Sequence, residues 1–216
     1  MIDLTSIDGA VFDADGTLYD SMWMWHQAEK EYIASHGVPW RPDIVEKLRT
    51  LGFFGIAEYL RTEFGVNKTV EEITSGIDAL MEDFYSQKVM LKPGVLTVLN
   101  SFRERGIKMC IATATDKYLT EAALQRTGVR EYFGKVFNCG DEKTDKKHPD
   151  IFIRAAAFLG TDISRTIVIE DALHAARTAK SAGFRVVGVY ERTAEIYQDE
   201  MRAVCDMFVM SIDEIL

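Results

Sequence analysis

No apolar run among the 216 residues approaches the roughly 18 needed to suggest a membrane span. No basic cluster offsets the formal net charge of −9, which argues against a nucleic-acid or anionic-membrane surface. Cysteine is scarce: Cys110, Cys139 and Cys205 are scattered, odd in number and without metal-ligand spacing, so a reducing setting is expected. The N-terminal segment enters a strand with no basic stretch followed by an apolar one, and a cytoplasmic location is the expectation. Internal repeats and low-complexity segments are missing as well. Prolines number four, and Pro39, Pro93 and Pro149 fall where helical patterns stop or start.

What is present is an ordinary globular composition, 47% apolar and 27% charged. The organising stretch runs from Ala10 to Ser21, where a short apolar strand stops in Asp13 and Asp15, a glycine and a hydroxyl cluster. Strand side chains alternate with period two, so the two acids face the same way. Like charges held that close call for a cation, a proton or both.

From Ser21 to His36, Met22, Trp25, Ala28, Tyr32 and Ile33 recur at helical steps. Further helices are expected over 41–51, 53–64 and 69–89, broken by Gly52 and Gly65, with Thr69 as an N-cap before Glu71 and Glu72. No strand is readable between residues 21 and 90. After Lys92-Pro93-Gly94 strands and helices alternate: strands at 107–112, 136–138, 166–169, 185–189 and 207–210, helices at 95–104, 117–126, 149–159 and 172–182. Repeated β-α-β units with near-continuous apolar strands predict an α/β fold, a Rossmann-like three-layer α/β/α core with a parallel sheet, plus an inserted α-helical cap domain. The expected boundaries are 1–16 and 91–216 for the core and 17–90 for the cap.

Such sheets bind ligands outside the carboxyl ends of their strands. Asp13/Asp15, Thr113 and Glu170-Asp171 all stand at or just after such ends, and Lys146-Lys147-His148-Pro149-Asp150 lies just before a helix start. Carboxylates gathered in a crevice make a hard-oxygen site suited to Mg²⁺. With a lysine and hydroxyl donors, that becomes a phosphate-binding environment in which a carboxylate is a candidate nucleophile.

Asp13-Ala14-Asp15-Gly16-Thr17 and the three later motifs resemble those of the haloacid-dehalogenase superfamily, in its branch with a helical cap after the first motif, the β-phosphoglucomutase-like and phosphatase branch. The resemblance covers essentially the whole chain. It implies Asp13 as nucleophile and metal ligand, and Asp15 as general acid/base that also ligates Mg²⁺ through its backbone carbonyl. It further implies Thr113 as a hydrogen-bond donor to the phosphoryl group, Asp171 as a metal ligand and Glu170 as a nearby supporting acid. Lys146 holds the position of the family's lysine, with Lys147 replacing a proline beside it and either one pointing inward. Ala114 stands where an asparagine is usual, and Thr115 is its possible replacement.

The substrate side is expected to draw on Thr17, Ala114, Thr115, Trp23 and His26, while Trp25 is weighted towards packing. Phe53 and Phe54 are placed either in the cap core or against the pocket. Thr17 and Pro93-Gly94 mark the two crossings between core and cap. The resemblance implies a Mg²⁺-dependent phosphatase acting on a small phosphorylated metabolite, a sugar phosphate or nucleotide type, through an aspartyl-phosphate. A β-phosphoglucomutase-type phosphosugar mutase is the alternative, and a catalytically silent binding module the non-enzyme one. Nucleic acid and membrane partners are not expected; a monomer is the default.

Overall fold

The computed structural model describes residues 2–49, 51 and 53–216, with the side chains of Pro42, Val45, Glu46, Arg49, Phe53 and Phe54 outside the description. Six strands form one parallel sheet: β1 (Gly9–Phe12), β2 (Lys108–Thr113), β3 (Val136–Asn138), β4 (Thr166–Glu170), β5 (Arg185–Val189) and β6 (Met207–Val209). Their order across the sheet is β3-β2-β1-β4-β5-β6. The register sets Phe12 between Ile111 and Ile169, so the strand ends bearing Asp13, Thr113 and Glu170 lie side by side. The strand order reverses between β1 and β4, the switch point at which a doubly wound sheet opens a crevice.

Alternation along the strands decides the layers. Ala10 and Phe12 point into one hydrophobic cluster with Val98, Leu99, Phe102 and Leu124; Val11 points into the other with Phe152, Ala155, Ala176 and Phe184. A sheet buried on both faces needs apolar residues at every position, which is why its strands read as continuous runs.

Helices α1 (Met22–Ser35), α2 (Pro42–Arg49), α3 (Phe53–Phe64) and α4 (Val70–Asp83) follow β1. Among the described residues no named strand lies between 21 and 90. Thr69 caps α4 in a reciprocal capping box with Glu72, as its hydroxyl and the acid three residues on predict. The single helix expected to run to Val89 stops earlier, at Asp83. Phe84–Lys88 widens into a π-helical turn, which turns Tyr85 inward against Trp25 while Phe84 packs edge-on to Trp23. Gly52, expected to break the second helix, lies outside the described residues.

After the crossing come α5 (Val95–Glu104), α6 (Lys117–Thr127), α7 (Cys139–Glu142), α8 (Asp150–Leu159), α9 (Leu173–Ser181) and α10 (Gln198–Val204). Of these α7 and α10 carry too few periodic residues to be read in advance. Pro149 is the N-cap of α8 rather than its first residue.

The two crossings lie against each other. Asp20 donates its backbone N–H to Met90 at 3.1 Å and Lys92 donates its own to Leu18 at 2.8 Å. Lys92 Nζ then donates to the Gly16 carbonyl (2.7 Å), the Tyr190 carbonyl (2.8 Å) and Glu191 Oε2 (3.1 Å). Gly16 sits at φ +82° above the Asp171 carboxylate, where a Cβ would collide with it.

Candidate active site

Asp13 leaves β1 at the switch point, its backbone N–H held by the Ile169 carbonyl at 2.9 Å. Its side chain is buried, with Oδ1 accepting from Lys146 Nζ. Oδ2 is buried and has no hydrogen-bond partner among the described residues. Lys146 also donates to Glu170 Oε1 at 2.6 Å. The other Glu170 oxygen accepts the backbone N–H groups of Asp171 (3.0 Å) and Ala172 (2.9 Å), which fixes the approach to α9 and with it the place of Asp171.

One lysine therefore faces three buried acids, Asp13, Glu170 and Asp171, whose ligand oxygens all lie within 4.8 Å of one another. Burial pushes the Asp13 carboxyl up to about 7, with Lys146 opposing and Glu170 and Asp15 adding to the rise. Burial, then Asp13 and Glu170, hold Asp171 well above the usual carboxylate range. Burial disfavours the charge on Lys146, but Asp13 and Glu170 outweigh it and keep the ammonium protonated. An excess of carboxylates with an unsatisfied oxygen fits a hard divalent cation.

Asp15 has a different environment. Its Oδ1 accepts from Ser21 Oγ at 2.5 Å and from the Tyr85 hydroxyl; its Oδ2 accepts from Thr115 Oγ1 at 2.6 Å. Trp25 Nε1 donates to the Tyr85 oxygen at 2.8 Å, so a directed chain of donors runs from α1 through the π-helical turn to Asp15. Thr113 Oγ1 accepts the backbone N–H of Thr115 at 3.1 Å, folding the loop after β2 back over the crevice.

These groups open on a cavity of about 480 Å³ between the sheet edge and helices α1 to α3. Asp13, Asp15, Thr113, Ala114, Thr115, Lys146, Glu170, Asp171 and His26 all line it. Of the two lysines left open by the motif, Lys146 is the buried one that contacts Asp13, and Lys147 is exposed at the rim. Trp23, expected at the substrate, is instead half-exposed away from this cavity, its Nε1 donating to the Asp20 carbonyl at 3.2 Å. The helical phase decides this: Trp25, not Trp23, shares the inward face with Met22 and His26. Thr17, expected on the substrate side, is fully buried and does not line the cavity. Asp15 is absent from the carboxylate cluster, its side chain being engaged by hydroxyls. Phe53 and Phe54 lie outside the described side chains.

Sequence reasoning gave no site role to Ser21, Tyr85, Lys92, Glu29 or Trp40. Ser21 was legible as part of the hydroxyl cluster. Tyr85 carried no signal, because only the π-helical widening brings residue 85 to the acid end of β1.

A doubly wound parallel sheet whose switch point opens on buried acids and a lysine, under a set of helices, places the chain among Rossmann-like α/β proteins that hold a ligand at the carboxyl edge of the sheet. Direct comparison gives the family: the model of the haloacid dehalogenase-like hydrolases matches residues 7–183, and the chain belongs to that family. It is 32% identical over 206 residues to protein CbbY of Cereibacter sphaeroides, covering 88% of each chain. It is 25% identical to hexitol phosphatase B of Escherichia coli, covering 95% of this chain and 93% of that one. The structure of a substituted CbbY of Rhodobacter sphaeroides in complex with xylulose-1,5-bisphosphate superposes with a TM-score of 0.78 at 26% identity, over 96% of both chains. The protein is thus an enzyme of a hydrolase family with phosphatase-named members. No described helix is long and apolar enough to cross a membrane.

Proposed function

We propose that the protein is a Mg²⁺-dependent phosphatase of small phosphorylated metabolites that works through a phospho-Asp13 intermediate. The observation that carries the reading is Asp13 itself, with one oxygen held by Lys146 and the other without a donor at the floor of the cavity. Asp13, Asp171 and the backbone carbonyl of Asp15 would hold the cation. When bound, it offsets the charge of the acids and of the incoming phosphoryl group.

The phosphoryl group of the substrate lies between Asp13, Thr113 and Lys146. An oxygen of Asp13 attacks phosphorus, the bond from phosphorus to the leaving alcohol oxygen breaks, and Asp15 delivers a proton to that oxygen. Asp15 then takes a proton from water as the water attacks phosphorus, the bond to Asp13 breaks, and inorganic phosphate leaves. Thr115, Ser21 and Tyr85 keep Asp15 aimed during both proton transfers. Residues 17–90 act as a cap that closes about Thr17 and Pro93-Gly94 and excludes water from the first step.

The phosphatase-named relatives support hydrolysis over isomerisation. A mutase shares every one of these core residues, and an isomerase assay with a bisphosphate primer separates the two readings. The intact acids disfavour a silent module. An aryl phosphate assay tests the reading: Mg²⁺-dependent turnover that disappears in Asp13→Asn is expected, and turnover unaffected by that change or by EDTA overturns it.

A further inference from the structure

Glu29 on α1 lines the cavity above the acids, one helical turn beyond Trp25 and three residues beyond His26. Trp40 stands on the same cap wall, and Leu48 and Ile56 complete its apolar part. Among the described residues no hydrogen-bond donor or cation pairs with the Glu29 carboxyl. Burial alone pushes it up to about 7. The Glu29 side chain is only partly covered, so its carboxyl faces the cavity, where water or a hydroxyl of an entering molecule can satisfy it. The mechanism leaves Glu29 unused, and the described cations of the cavity, Lys146 and Lys147, both belong to the core side.

From this arrangement we infer that Glu29 is the specificity residue, accepting hydrogen bonds from the hydroxyls of an uncharged polyol monophosphate and rejecting substrates with a second anionic group. Resting on the phosphatase reading, the inference deepens it by naming the alcohol part of the substrate. The two indoles supply faces for the C–H surface of a polyol chain or ring, and the carboxyl takes its O–H groups. A second phosphate or a carboxylate on that side meets no cation on the described cap wall, and Glu29 must either oppose its charge or take up a proton to receive it. Sites built to hydrogen-bond a substrate hydroxyl discriminate steeply against analogues that lack it.

The test compares the full-length wild-type enzyme with Glu29→Gln and Glu29→Ala on four probes: a hexitol monophosphate, a pentulose bisphosphate, phosphoethanolamine and an aryl phosphate. The wild type is expected to favour the hexitol monophosphate over the bisphosphate by at least tenfold in kcat/KM. Glu29→Ala should raise KM for the hexitol ester at least tenfold, with Glu29→Gln in between, while the aryl phosphate, which offers no hydroxyl, changes less than twofold. Bisphosphate turned over as well as or better than the monophosphate overturns the inference. So does preference for phosphoethanolamine, which would make Glu29 the counter-ion of an ammonium, and so does an equal loss on all four probes. Retained aryl phosphate turnover certifies folded variants. Its absence in the wild type would strike the phosphatase reading instead.

Discussion

Tyr85, seventy residues from Asp15 along the chain, donates its phenolic hydrogen to that carboxyl from the π-helical turn at the end of α4. The helices above the crevice therefore reach Asp15, the acid/base of the proposed mechanism, directly. Tyr85→Phe removes one donor to Asp15 and leaves Trp25 Nε1 without its acceptor. A hydrogen bond to a carboxylate of this kind contributes about 1.5–3 kcal/mol, so kcat should fall at least about tenfold. KM for an aryl phosphate should stay within a factor of about two, since the phosphoryl contacts are untouched. Steady-state kinetics checks this.

Asp15→Asn keeps the shape and an accepting oxygen but removes the proposed proton shuttle. Loss of a positioned acid/base costs about 10²–10⁴ in rate. Esters with poor leaving alcohols should suffer more than aryl phosphates, whose leaving oxygen needs little protonation. Equal losses on both would separate Asp15 from leaving-group protonation.

Lys146 pairs with two buried acids at once. Lys146→Met strands Asp13 and Glu170 in the interior, and breaking a buried pair in this way destabilises by about 3–5 kcal/mol. Lys147→Met, at an exposed position, should stay within about 0.5 kcal/mol. Urea titration of both variants in EDTA reads the difference.

Mg²⁺ should stabilise the fold by mass action, by about 2.7 kcal/mol at a hundredfold excess over its Kd. That increment, measured by thermal unfolding without substrate, should vanish in Asp171→Asn.

Asp78 on α4 is buried with an unpartnered Oδ1 and is pushed up from 3.8 to about 8, first by burial and then by Asp116 and Asp15. The folded state therefore keeps its proton where the unfolded chain has lost it. The associated stability is complete below about pH 4 and is lost as pH rises towards 8. Asp78→Asn should match the wild type near pH 4 and exceed it by roughly 1–3 kcal/mol at pH 8. Thermal unfolding across that range checks the slope.

The sheet and most helices were legible because a strand buried on both faces and an amphipathic helix each impose a period on the sequence. Asp13, Thr113 and Asp171 were legible because strand ends in a parallel sheet share one edge. Tyr85 and Lys92 were not, since each arrives through backbone geometry, a widened helical turn in one case and a chain crossing in the other. Trp23 misled because adjacency to the catalytic loop says nothing about helical phase; two residues on, Trp25 faces the cavity. Glu29 carried no signal, because only the phase of α1 and the fold set it against the cavity.

The stereochemical course at phosphorus tests the central claim most directly. With a substrate whose phosphoryl group is made chiral by isotopic substitution, attack by Asp13 followed by attack of water gives two inversions, so retention is predicted. Net inversion would mean that water attacks in one step and that Asp13 is not the nucleophile.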